Sequence, residues 1–222
     1  MSKVYTDSVE KRTGGSAITV PASGQWIDLA SAAQGDVLYH NGTSYVRLAA
    51  GTSGQVLQTT GAGANPAWAD AAGITDCSIW RLTTSFNGDA NPIASNLEED
   101  DGPDYVRLGS AMTESAGIFT FPSTGFWRID FSGIGKNNAA NNHMDLTIES
   151  VISGTSDNRA KNSIGWSSFN YAGTYCSTLY DVQNTTTHKC SFSVNHTSQS
   201  NGLQGDTNNN ETCMIFTRLA DT

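Results

Sequence analysis

The sequence predicts an all-β protein: a short β segment intertwined between several copies of the chain, followed by an antiparallel jelly-roll (β-sandwich) head. Three observations predict it. No window of the 222 residues keeps a helical period or a long apolar run, which argues against a helix bundle and a membrane-spanning helix. Residues 74–222 carry short runs that alternate apolar and polar side chains, with turn-forming residues between them. Residues 35–69 are so interrupted by glycine that one copy has too little apolar surface to order them. The expected divisions are 1–33, 34–73 and 74–222.

Residues 1–33 hold two short apolar pieces, Ala17-Ile18-Thr19-Val20 and Trp26-Ile27-Asp28-Leu29, separated by Pro21 and Ser-Gly. So small a segment cannot bury Ile18, Val20, Trp26 and Ile27 within itself. The reading is an anchor that orders on docking into a larger assembly; the plainer alternative is a strand or two completing the next segment. The opening MSKVYTDSVEKRTGG lacks the apolar core of a signal peptide, so synthesis in a cytoplasm is expected.

In the second segment, Asn41-Gly42 predicts a hairpin with a two-residue type I′ turn joining Val37-Leu38-Tyr39 to Tyr45-Val46-Arg47-Leu48. Gly51, Gly54, Gly61 and Gly63 then break the chain, with Val56-Leu57 as another short strand and Trp68 as an apolar plug. Burying each large apolar side chain contributes about 1.5–3 kcal/mol, whereas fixing the backbone costs about 1–2 kcal/mol per residue. A lone hairpin is marginal. Several copies round one axis could share Val37, Tyr39, Val46, Val56, Leu57 and Trp68 as a common core, so the expectation is an obligate oligomer.

The composite of Gly35-Asp-Val-Leu-Tyr-His-Asn-Gly42, Val46-Arg-Leu48, Gly51-Thr-Ser-Gly-Gln-Val-Leu57 and a Gly-rich run ending Pro66-Ala-Trp68 resembles the shaft segment of bacteriophage tail fibres and related virion fibres. The resemblance implies a homotrimeric fibre, a place in the virion with synthesis in the host cytoplasm, attachment to the particle through the N-terminal end, and no enzymatic activity in this segment.

The third segment alternates throughout. Trp127, Ile129 and Phe131 oppose Arg128 and Asp130; Leu146, Ile148 and Ile152 oppose Asp145, Thr147 and Glu149. Cys190, Phe192 and Val194 oppose Lys189, Ser191, Ser193 and Asn195, and Met214 and Phe216 oppose Cys213, Ile215 and Leu219. With Ile79–Leu82, Tyr105–Leu108, Phe119–Phe121 and Leu179–Val182 the count reaches about eight strands. Strands with one buried and one solvated face belong to antiparallel sheets. The run Gly117-Ile-Phe-Thr-Phe-Pro-Ser-Thr-Gly-Phe-Trp-Arg-Ile-Asp-Phe131 is similar to the signature of complement-type and tumour-necrosis-factor-like globular heads, and Leu179–Val194 and Cys213–Leu219 resemble their last strands. The resemblance implies a compact jelly roll packed as a trimer. It departs from the family where Thr187-His188 stands in place of a Gly-Asp before the penultimate strand.

The net charge is −9, and residues 74–222 hold eight basic against sixteen acidic residues, a balance of −8. An acidic head is repelled by phosphate backbones, which argues against nucleic acid as a partner. Cys77, Cys176, Cys190 and Cys213 form no C-x-x-C, and in a reducing compartment they are expected as free, inert core thiols.

Little in the sequence suggests catalysis. His40, His143, His188 and His196 are scattered, and there is no nucleophile elbow, P-loop or dinucleotide fingerprint, so no enzyme and no organic cofactor are expected. The carboxylates Glu98, Glu99, Asp100 and Asp101 could supply oxygens to a hard divalent cation, but their spacing is not that of a calcium loop and a solvated acidic loop is the alternative. Trp166, Phe169, Asn170 and Tyr171, with Asn141 and Asn142, mix aromatic rings and amides in a way that suits stacking on sugar rings. Equally, the aromatic residues could be a strand facing the core or a trimer axis. The expectation is a virion fibre or spike whose distal head adheres to a host-surface glycan or protein. Its alternative is a mainly structural head fibre or decoration protein mounted on the capsid. The other virion partner, tail, baseplate or capsid, would be met through the N-terminus.

Overall fold

The computed structural model of the chain describes residues 8–9, 18–19, 32–71, 73–136, 142–166 and 170–222, with no helix among them. The chain divides into two units, Met1–Ala71 and Ala72–Thr222. In the first, β1 (Ser8–Val9) pairs antiparallel with β2 (Ile18–Thr19). Of the expected anchor residues, Ile18 falls in β2, while Val20, Trp26 and Ile27 lie outside the described residues.

β3 (Val37–His40) and β4 (Tyr45–Leu48) form the predicted hairpin, with Val37 opposite Leu48 and His40 opposite Tyr45. Its connection is a four-residue loop, not the expected two-residue type I′ turn. The Asn41 Oδ1 accepts the N–H groups of Thr43 and Ser44, both at 2.9 Å, and Asn41 N–H donates to the Ser44 carbonyl. With the side chain of Asn41 closing the loop, only Gly42 takes positive φ, at 95°. Asp36 ties the hairpin's base: it accepts the Ala33 N–H at 2.6 Å, an Arg47 guanidinium N–H at 3.0 Å and the Ala50 N–H at 3.1 Å. The Ala33 N–H, with Arg47 and Ala50, holds the Asp36 carboxyl below its usual range against a smaller desolvation effect.

β5 (Gln55–Gln58) pairs with β6 (Ala67–Asp70), placing Leu57 opposite Trp68. The indole N–H of Trp68 donates to the Ala49 carbonyl at 2.6 Å. Gly51 lies so close to the ring that a Cβ there would stand 2.7 Å from it. The two hairpins are thus fastened by one aromatic side chain, yet not one residue from 32 to 71 is buried.

The second unit is an antiparallel sandwich. Its strands are β7 (Cys77–Leu82), β8 (Thr84–Asn87), β9 (Leu97–Glu99), β10 (Thr113–Ser115), β11 (Ile118–Thr120), β12 (Gly125–Lys136), β13 (Asn142–Ile152), β14 (Thr155–Trp166), β15 (Tyr171–Val182), β16 (His188–His196), β17 (Gly202–Asp206) and β18 (Cys213–Ala220). One sheet has the order β10-β11-β16-β13-β14. The other runs β8-β17-β12-β18-β7-β9, with β15 paired to β12 along its whole length.

The alternating residues meet between the sheets. Trp127, Ile129 and Phe131 of β12, Met214 and Phe216 of β18 and Leu82 of β7 face Phe119, Leu146, Ile148, Cys190, Phe192 and Val194 across a single core. Phe192 is its hub, with ring centroids 5.0 Å from Phe131, 5.3 Å from Phe119 and 5.8 Å from Phe216. Such edge-on contacts add about 0.5–1.5 kcal/mol each to the area buried. All four cysteines are free, three of them buried; burial pushes the Cys176 thiol up to about 11 and the Cys190 thiol higher still.

Two expectations fail here. Tyr105–Leu108 is not a strand: Leu108 makes one isolated bridge to Cys77, and Val106 is 87% exposed. Tyr105 turns inward instead, its hydroxyl accepting the Ile79 N–H at 3.1 Å and donating to Glu99 at 3.3 Å. Residues 155–166 and 171–182, of which 163–175 reads as loop-rich in the sequence, are two twelve-residue strands.

Candidate functional site

The head presents a bare apolar stripe on the outer face of the β15–β12–β18 side. On β15, alternate side chains Tyr171, Tyr175 and Leu179 point away from the core and are 58–66% exposed, while Cys176, Tyr180 and Val182 point into it. The register sets Tyr171 opposite Lys136, Tyr175 opposite Ser132 and Leu179 opposite Arg128 of β12. Phe126 and Leu219 extend the stripe, each 42% exposed. Two charges at its centre neutralise each other: Arg128 Nε lies 2.9 Å from Asp130 Oδ2.

Among the described residues β15 pairs with β12 alone and β14 with β13 alone, so both strands are edges, on the same side of the sandwich. One hydrogen bond, from the Asn162 amide to the Tyr175 carbonyl at 2.8 Å, spans the gap between them. An exposed apolar stripe beside two long open edges is the kind of surface at which protein chains associate.

The residues predicted for ligand binding separate. Trp166 is buried in the core against Gly135, where a Cβ would stand 2.7 Å from its ring; it takes the packing role. Asn142 is half-buried opposite Trp166, at the end of the sandwich where Asn170 and Tyr171 are exposed. Asn141 and Phe169 lie outside the described residues. Of the residues proposed to line a trimer axis, Val37, Tyr39, Val46 and Trp68 are half-buried, and Val56 and Leu57 are each 47% exposed.

The acidic run is engaged internally. Arg81, 2% exposed on β7, donates to Glu98 and Asp100, each at 2.8 Å, and to Asp101. Arg107 takes Glu99 at 2.7 Å. Asp100 also accepts the Asn210 amide and the Gly102 N–H, and these bonds with Arg81 hold its carboxyl below the usual range despite its desolvation. The run cages a guanidinium, and no cluster of three or more metal-ligating side chains occurs among the described residues.

Phe126 and Leu179 are functional candidates that alternation alone did not single out, because period two marks a strand without telling which face another molecule covers.

No family model matches the sequence, and no curated protein matches it. Among solved structures, the chain is similar to a crystal structure of murine APRIL at pH 5.0, with 10% identity and a TM-score of 0.50 over 65% of this chain and 98% of that one. A second crystal structure of murine APRIL, at pH 8.5, matches over the same shares with 10% identity and a TM-score of 0.47. The likeness shows the fold: the second unit is an antiparallel jelly roll, as the resemblance carried by Gly117–Phe131 implies.

Proposed function

We propose that the chain is a virion fibre or spike protein of a bacteriophage, assembled as a homotrimer, whose jelly-roll head adheres to a host-surface component. The observation that carries the reading is the complete lack of buried residues from 32 to 71, in a segment that nonetheless forms two hydrogen-bonded hairpins. Such a segment gains the apolar burial it lacks by sharing Val37, Tyr39, Val46, Val56, Leu57 and Trp68 between copies. The exposed stripe of Tyr171, Tyr175, Leu179 and Phe126 gives the head its own association surface, and the likeness to murine APRIL supports a head of this fold. The head acts by binding, without catalysis, and trimerisation multiplies weak sites through effective concentration. The N-terminal segment joins it to the particle.

Native mass measurement and a particle reconstruction test the two halves of the reading. The expected results are a trimer at micromolar concentration and density for residues 74–222 projecting from the tail or baseplate. A stable, well-folded monomer would remove the fibre assignment, and density on the capsid shell would replace adhesion with a decorating role.

A further inference from the structure

We propose that a groove on the outer face of the five-stranded sheet binds a carboxylated sugar unit of the host glycan; this rests on, and sharpens, the adhesion reading above. The groove, about 540 Å³, is lined by Ile118, Val151, Ser153, Ser156, Thr187 and Lys189, with Gly154 and Thr186 at its rim. Its size falls in the range of about 300–1,000 Å³ typical of small-molecule sites.

Two turns build it, and they are fastened to each other. Ile152 and Thr155 close a two-residue turn in which Ser153 and Gly154 both take positive φ, 51° and 84°. Across from it, the Asn184 Oδ1 accepts the N–H groups of Thr186 at 2.8 Å and Thr187 at 3.2 Å, and the His188 N–H donates to the Asn184 carbonyl. The Ser153 N–H then donates to the Thr187 carbonyl at 3.0 Å, locking one turn onto the other. The floor is sheet: Val151 stands opposite Lys189, and Ile118 opposite Ser191.

Charge chooses the ligand. In a head with a balance of −8, no carboxylate lines this groove. Among the described residues of the head Arg81, Arg107, Arg128, Arg159, Lys161 and Arg218 each have a carboxylate within ion-pair distance; exposed Lys136 and half-buried Lys189 have none, and of these two only Lys189 lines a groove free of carboxylates. Glu149, one row along the sheet, is turned to the hydroxyls of Ser191 and Ser193 at 3.2 and 2.8 Å. A single lysine is a point charge that balances one singly charged carboxylate, whereas tetrahedral, multiply charged phosphate is better served by several donors. The exposed hydroxyls of Ser153, Ser156 and Thr186 match a ring of sugar hydroxyls, and Ile118 with Val151 matches the C–H face of a pyranose. The groove lies on the sheet opposite the apolar stripe, so it stays open when the stripe is covered.

Saturation-transfer NMR on the full chain with methyl glucuronide, the methyl glycoside of N-acetylneuraminic acid and neutral methyl glucoside tests the assignment. At least one acidic glycoside should bind at least tenfold more tightly than the neutral one. Lys189→Gln should remove that preference, and Thr186→Val, an exposed change that leaves the turn's backbone bonds intact, should weaken binding severalfold. Equal binding of acidic and neutral sugars, no binding of any, or an unchanged preference in Lys189→Gln overturns it. Whole-cell binding keeps the two readings apart. Cell adhesion that persists undiminished in Lys189→Gln removes the groove and leaves adhesion standing. Failure of the wild-type chain to bind any susceptible host removes the adhesion reading and, with it, the host-glycan source of the ligand.

Discussion

The Arg81 guanidinium lies buried on β7 with its Nη1 2.8 Å from the Asp100 Oδ1, and the acidic segment that looks solvated in the sequence folds over the sheet to meet it. Removing one partner of such a pair leaves the other desolvated and unpaired. Arg81→Met should therefore destabilise the head by about 3 kcal/mol, read as a lowered midpoint in urea unfolding. Arg81→Lys should recover only part of the loss, because an ammonium cannot serve Glu98, Asp100 and Asp101 with a rigid fork. A midpoint unchanged in Arg81→Met would show that the cage contributes nothing.

His196 gives the head an acid limit. The side chain is 4% exposed; burial lowers its pKa, opposed by its contacts with the Gly88 carbonyl and Asp89. Since the folded value is below the unfolded one of about 6.5, the neutral form is favoured by folding. Its contribution is complete above that pH and falls away as pH drops through the folded value. Thermal unfolding of the wild type should show Tm falling from pH 7 to pH 5, before the carboxylate losses near pH 4 set in. In His196→Gln that slope should flatten, whatever the absolute Tm.

Gly51 has no room for a side chain. A Cβ would sit 2.7 and 2.9 Å from two atoms of the Trp68 indole. Gly51→Ala should displace the ring, break its bond to the Ala49 carbonyl and cost about 1–3 kcal/mol. The readout is indole fluorescence together with the assembly midpoint on dilution, and an unshifted emission spectrum would argue that the ring is not held there.

Leu179, 66% exposed at the centre of the apolar stripe, offers a test of association that spares the core. Leu179→Glu should leave the far-ultraviolet circular dichroism of the head unchanged while shifting sedimentation toward smaller species. Retention of the full assembly would mean that the stripe is not where copies meet.

Much of this was legible from pattern. The facing of Trp127, Ile129 and Phe131, and of Cys190, Phe192 and Val194, follows from period two because both strands lie mid-sheet with one side on the core. β14 carries no such signal: in Thr155–Trp166 both faces are mostly polar because an edge strand meets solvent on two sides, and only Ala160, Ile164 and Trp166 are covered. Tyr105–Leu108 alternates as a strand would, yet the hydroxyl of Tyr105 finds a backbone N–H and a carboxylate that no local pattern encodes. The groove around Lys189 was invisible for a similar reason, since its walls come from two turns and a strand distant in sequence.

The paired edges β14 and β15 carry one more implication. Each lies on a twelve-residue strand free of proline, and the alternate backbone groups that do not face β12 or β13 are turned outward. Stray strands can add there, so if copies cover these edges on one another as proposed, a dispersed preparation would drift toward precipitate sooner than toward reassembly. Endurance outside a cell would then come from never letting go.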